Sequence, residues 1–370
     1  MTARLCPPGS LLILVLSVGV GCTPPVEPIF GDGSHSLESV TLTVIADSGD
    51  DLDVPRDIAF HPDRTDELWV VNQGDESVAV LFDAGTDDQE AERFHGPESA
   101  HFLAQPASLA FSDNGNFATT HETDDTTPFT ADAPGTFMGP TLWTSDLDVF
   151  DGSHAGHIDM LHNSPNGMGV AWDNDNTFWV FDGYHESITR YEFNADHGPG
   201  GTDHADGEVE RYVEGEVDRA SGVPSHMELD HDTGLLYIAD TDNGRIAVLD
   251  TESGSEGDDI SPNYDFSDQV EIEDAEIWTL VDGDTLVDSD GGDVELRKPS
   301  GLALHEGLLY ITDNRGGLLF AFSLEGELLD WIDLERDSGG LMGIAFDESG
   351  QLYLTDAEED EILRLDPLEE

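Results

Sequence analysis

Five stretches of this chain are variants of one another. Residues 235–240 run Leu-Leu-Tyr-Ile-Ala-Asp, pass a polar turn at 241–244 and continue as Arg-Ile-Ala-Val-Leu-Asp at 245–250. Residues 68–72 lead in the same way into 77–81, 178–182 into 188–191, 309–313 into 318–322, and 352–356 into 362–365. Each unit is an apolar strand, a polar turn and a strand of alternating residues. A unit this small cannot bury its own apolar faces, so neighbouring units must stack, and the repeat restricts the chain to a few architectures.

Each unit opens with a further short strand: 55–60, 106–111, 167–172, 224–229, 299–304 and 341–346. Small residues beside branched ones in these openings suit strands crowded around an axis. In the second unit, residues 117–120 are separated from 142–144 by an inserted loop, and a fourth, outer strand shows at 328–332 in the fifth. The sixth unit ends near Leu365 with no room for an outer strand, while residues 40–45, Val-Thr-Leu-Thr-Val-Ile, form an orphan strand ahead of the first unit. Closing a ring with that strand removes exposed sheet edges. The expected fold is all-β: a six-bladed propeller of four-stranded antiparallel blades, closed by an N-terminal strand and occupying residues 40–370.

The first 21 residues have the shape of a secretory signal: Arg4, then an apolar run over 11–21 too short to span a bilayer comfortably. Cys22 follows Gly21 directly, which resembles a bacterial lipoprotein signal and implies lipidation at Cys22. Gly19 departs from the Leu or Val usual three places before the cysteine, so plain secretion stays open. Residues 22–39 then read as a lipid-anchored linker rich in Pro and Gly. The expected location is the bacterial cell envelope, facing periplasm or exterior, with membrane contact through the anchor alone. Cys6 falls in the removed part, leaving no cysteine pair for an internal disulfide.

With 81 Asp and Glu against 13 Lys and Arg, the formal net charge is −68. Such a chain repels nucleic acid and anionic lipid, which excludes both as partners. An acidic surface of this kind suits a salty environment, where counterions screen the self-repulsion, and carboxylate clusters also offer themselves to cations.

The openings, the Leu-Tyr-Ile-Ala-Asp core at 236–240 and the Asn-Gly-Arg-Ile turn at 243–246 resemble NHL repeats. That resemblance covers nearly all of the chain after the linker and implies a six-bladed propeller. Function does not follow from it, because propellers host enzymes, ligand binders and docking platforms alike.

Eight of the 14 histidines lie between residues 154 and 231: His154, His157, His162, His185, His197, His204, His226 and His231. Imidazoles among carboxylates are ordinary ligands for zinc or another divalent transition metal. His226 is the leading metal candidate, because the other openings place Asp57, Ser108, Gly169, Gly301 and Gly343 at its position and six such positions converge on the axis. His162, in the loop entering the third blade, and His157 are further metal candidates. His61, His231 and His305 follow opening strands and belong in turns at their far ends. Arg245, Arg56 and Tyr184 are candidate ligand-binding residues: the arginines are scarce positive charges with bidentate geometry, and Tyr184 sits in a turn near the expected channel mouth. Asp- and Gly-rich turns at 282–284 and 288–293 offer oxygens of the type calcium takes, and serve equally as hairpin connections.

Within the NHL propellers, the peptidyl-hydroxyglycine amidating lyases are the enzyme class these features resemble. Asp182-Gly183-Tyr184 is similar to the stretch bearing the lyase tyrosine, and residues 243–246 to the turn bearing its arginine. Its zinc histidines follow the opening proline directly; here Ser225 follows Pro224 and His226 comes one place later, while Ser300 and Met342 occupy the corresponding places of the next two units. A one-residue slip turns a strand side chain to the other face, so the metal triad does not carry over. Three readings remain: an envelope-anchored propeller binding a protein, peptide or glycan through its loop face, a metal-dependent lyase or hydrolase built on histidines at the central channel, or a structural propeller whose acidic shell reflects habitat alone.

Overall fold

The computed structural model describes residues 28–95, 99–124, 135–151, 156–288 and 291–368. Cys22, the expected signal and His154 lie outside these residues. The chain forms six four-stranded antiparallel blades in a ring. Blade 1 comprises Pro55–Phe60, Leu68–Asn72, Ser77–Phe82 and Glu90–Phe94. Blade 2 comprises Pro106–Phe111, Asn116–His121, Thr141–Thr144 and His157–Met160; blade 3, Gly167–Asn174, Thr177–Asp182, Ser187–Glu192 and Glu208–Tyr212. Blade 4 is built from Met227–Asp230, Leu235–Asp240, Arg245–Asp250 and Ile277–Asp282, and blade 5 from Pro299–His305, Leu308–Asp313, Leu318–Ser323 and Leu328–Asp333.

Blade 6 draws Leu341–Phe346, Leu352–Asp356 and Glu361–Pro367 from the end of the chain and its outer strand, Val40–Ala46, from the beginning. Val40 pairs with Pro367 and Val44 with Leu363. The closure expected from the orphan strand is therefore present. Residues 28–39 are docked: the Asp330 carboxylate accepts the Ile29 and Phe30 amides at 2.8 Å each, and His35 stacks on Trp331 with ring centroids 4.4 Å apart.

Apolar faces of adjacent blades meet between them. Tyr310, Leu319 and Ile332 of blade 5, for example, pack against Leu341, Leu354 and Leu363 of blade 6. Toward the axis the inner strands come so close that a side chain has no room at some positions. A Cβ on Gly169 would lie 1.9 Å from the Ser225 carbonyl oxygen, and one on Gly301 2.1 Å from that of Met342.

One departure from a plain ring lies between the third and fourth strands of blade 4. There the hairpin Ser255–Asp259 and Asp268–Glu273 reaches back to blade 3, and its second strand pairs in parallel with Glu208–Tyr212. Blade 3 thereby becomes a six-stranded sheet.

Deleting residues 28–46 turns Glu361–Pro367 into an open sheet edge. A melting temperature lower by several degrees and a shift toward dimers or larger species in size-exclusion chromatography are expected. A monomer melting like the intact protein would refute closure as a stabilising device.

Candidate functional site

Antiparallel connectivity sorts the loops. Links between blades share one end of the ring with the turns joining second to third strands; first-to-second turns share the other. At the first end the axis is closed by a buried ion pair. Arg56, at the start of blade 1 and 1% exposed, lies with Nη2 3.1 Å from Glu122 Oε2. Glu122 also accepts from Gln73 Nε2, Arg219 Nη1, Ser221 Oγ and the Gly222 amide, at 2.7–3.3 Å. One carboxylate thus joins segments of blades 1 and 2 to the link between blades 3 and 4. Burial pushes its pKa up, but the Arg56 charge and the Gly222 N–H outweigh this and hold it below the usual carboxylate value.

Further along the axis, Asp57 and His226 come from opposite blades, 1 and 4, and meet with His226 Nδ1 3.5 Å from Asp57 Oδ1. Burial drives His226 down to about 3, opposed by the Ala107 carbonyl and reinforced by Arg56, so the imidazole is neutral. Asp57 accepts the Leu109 and Ile58 amides at 3.0 and 2.8 Å, yet burial still raises it well above the carboxylate range. Glu228, two residues beyond His226, is raised by burial to about 7.

These three residues form the inner part of a cavity of about 420 Å³ running toward the other end. Half-buried rings of Phe60, Phe111, Trp172 and Phe346 line its outer part. His231 tilts against Trp172 at 4.9 Å and His305 stacks on Phe346 at 4.1 Å. As expected, His226 faces the channel, and His231 and His305 sit at the far end of it.

Other candidates lie elsewhere. Arg245 is committed to the blade itself: Nε donates to Asp240 at 2.6 Å, Nη1 to Thr279 at 2.8 Å and Nη2 to the Glu216 carbonyl at 2.6 Å. Tyr184 is half exposed on its turn, edge-on to His185 at 4.8 Å, and does not line the cavity. His162 and His157 are at blade 2's outer edge. His162 Nδ1 lies 2.5 Å from Asp265 Oδ1, and His157 stacks on Phe102 at 3.6 Å. The structure therefore does not bring His226, His162 and His157 together. Among the described residues, the one set of three ligand-type side chains within 4.8 Å is Asp159, His197 and His204. At the turns considered for calcium, Asp282 accepts the Asp284 amide and Asp288 the Gly292 amide, as turn-capping carboxylates do.

The fold and this axial cavity define a six-bladed propeller with an acid- and ring-lined channel. No protein-family model matches the chain, and no curated protein matches its sequence. Among solved structures it is similar to an auxiliary nutrient binding protein of Bacteroides thetaiotaomicron, at 12% identity and a TM-score of 0.56 over 88% of this chain and 75% of that one. A second auxiliary nutrient binding protein, from Bacteroides ovatus, gives 14%, 0.55, 89% and 77%. A gluconolactonase of Xanthomonas campestris gives 14%, 0.52, 90% and 91%. At these identities the likeness is one of fold.

Two outcomes follow from the axis. Glu122→Ala strands Arg56 without a carboxylate, and a loss of about 3–5 kcal/mol is expected in urea unfolding at pH 7. Because the Glu122 pKa is depressed, its contribution is present above the unfolded carboxylate value and lost as pH falls, so the variant's deficit must shrink in acid. Glu228→Gln goes the other way. A carboxyl raised from 4.5 to about 7 destabilises progressively across that window and fully above it. The variant should match the wild type below pH 4.5 and exceed it above pH 7, by roughly 3 kcal/mol at most since the channel admits water. Thermal melts across pH read this directly, and a pH-independent difference would rule out the assignment.

Proposed function

We propose that this chain is an NHL-type binding propeller of the bacterial cell envelope, anchored through Cys22, that takes a neutral or amine-bearing saccharide in its axial cavity. The observation carrying this reading is the cavity: carboxyl groups of Asp57 and Glu228 inside, and four aromatic rings around the outer part. Rings offer flat apolar faces to the C–H faces of a sugar, and carboxylates accept from its hydroxyl or ammonium groups. The net charge of −68 works against any anionic ligand. Similarity to auxiliary nutrient binding proteins agrees with a binding role.

The position of the cavity supports binding at the end of the ring with the first-to-second turns, because Arg56 and Glu122 close the axis beneath the long connections. Among the described residues His226 is the one imidazole in the inner part of the cavity, beside two carboxyl groups, which favours binding over metal-dependent lyase or hydrolase chemistry there.

Isothermal titration of the protein against a panel of neutral and amino sugars tests this. Trp172→Ala should weaken binding roughly two- to twelvefold, the worth of one ring contact of about 0.5–1.5 kcal/mol. Saccharides that fail to bind while a cationic peptide does would replace the proposed ligand class; binding untouched by Trp172→Ala would remove the cavity from it.

A further inference from the structure

Away from the axis, two insertions wrap blade 2's outer edge. The link between the third and fourth strands of blade 3 carries His197 and His204 and lies along the strand His157–Met160, where the His197 amide donates to the Ile158 carbonyl at 3.0 Å. Asp159 of that strand is 1% exposed and turns its carboxylate toward both imidazoles. His204 Nδ1 is 2.8 Å from Asp159 Oδ1, and His197 Nε2 is 3.9 Å from the same oxygen.

The state of His197 is set by its neighbour. Its Nδ1 lies 2.7 Å from the Gly198 carbonyl oxygen, which can only accept, so Nδ1 carries the proton and Nε2 presents a lone pair. That Nε2 is buried without a hydrogen-bond partner, on a side chain 4% exposed. It faces a carboxylate oxygen that already accepts the Met160 amide at 2.7 Å. Two acceptors facing each other across a buried gap are unfavourable unless a cation lies between them.

We propose that Asp159, His197 and His204 form a site for one divalent transition-metal ion of the zinc class, which staples the 193–207 insertion to the outer strand of blade 2. Two imidazole nitrogens and one carboxylate oxygen are the donors zinc takes, whereas calcium takes six to eight oxygens. Metal–ligand bonds of about 2.1 Å in a tetrahedron put ligand atoms about 3.4 Å apart, between the two distances observed here. On binding, the ion takes the lone pair of His204 Nδ1, and the proton there moves to Nε2 or, from an imidazolium, leaves to solvent. Water completes the tetrahedron. His157 and His162 wall the site without ligating: their rings are 5.2 Å from His197 and 5.8 Å from His204, and Asp265 holds His162 in place.

The untagged full-length chain, stripped of metal, is titrated with Zn²⁺ against a chromophoric chelator strong enough to outcompete surface carboxylates, and Co²⁺ is used as a spectroscopic probe. One Zn²⁺ per chain is expected, with the intense absorption of tetrahedral Co²⁺ and slower proteolytic cleavage within residues 193–207 when metal is bound. His197→Ala and His204→Gln should each weaken binding roughly 100-fold, while the exposed His95→Ala binds as the wild type does. If one variant fails to fold, the other and the wild-type Co²⁺ spectrum still decide. Zinc held no better than by surface carboxylates, a weak octahedral Co²⁺ spectrum, or undiminished binding in a folded variant would overturn the site.

Discussion

Crowding of six inner strands around one axis is the constraint on which the rest of this structure depends. Where the strands approach most closely the chain has glycine, because a Cβ on Gly169 or Gly301 would collide with a carbonyl of the next blade. Buried threonines join the blades at the same level. Thr241 of blade 4 donates to the Pro299 carbonyl of blade 5 at 2.8 Å, and Thr312 of blade 5 to the Met342 carbonyl of blade 6 at 2.8 Å. Thr312 accepts the Gly301 amide as well, so one hydroxyl serves two backbone groups. Together with single backbone bonds such as that from the His226 amide to the Ser300 carbonyl at 3.1 Å, these side-chain bonds fix each blade's position in the ring while leaving it a separate sheet.

That crowding also accounts for the chemistry of the axis. Two of the six equivalent positions carry side chains that span the channel, Asp57 and His226, and they come from opposite blades. Both side chains are buried, which raises the aspartate and lowers the histidine for a single reason: each charged form loses solvation. Glu122, less deeply buried, has a different outcome, because Arg56 and a set of N–H donors compensate its charge. The axis thus has the Arg56–Glu122 ion pair at one end and, toward the other, a cavity lined by the carboxyl groups of Asp57 and Glu228.

A chain with 81 acidic residues has many carboxylates for which structural work must be found. The aspartate ending the second strand of several blades illustrates it. Asp182, Asp240, Asp313 and Asp356 are all buried, and each accepts backbone amides of a neighbouring turn or link. These carboxylates substitute for the backbone partners that tight turns lack. In the repeat they recur as the last residue of the Leu-Tyr-Ile-Ala-Asp core, so a motif visible by its spacing has a definite mechanical role. Arg245 likewise belongs to this turn-fixing apparatus, through its bond to Asp240.

Periodicity alone determined the number of blades, the inner strands and the closure by Val40–Ala46, since these depend on local alternation and on one strand lacking a partner. His226 was legible as an axial residue for the same reason: register in a repeat fixes direction. What lay beyond sequence were contacts between insertions, whose paths no repeat dictates. The hairpin at 255–273 crosses from blade 4 to blade 3, bringing Asp265 to His162, and the 193–207 link lays His197 and His204 on Asp159. A concentration of histidines was evident, but not which of them would meet. Imidazole ligands are chosen by distances of a few ångströms across residues some 40 apart in the chain, and only the packing of those loops on blade 2 sets such distances.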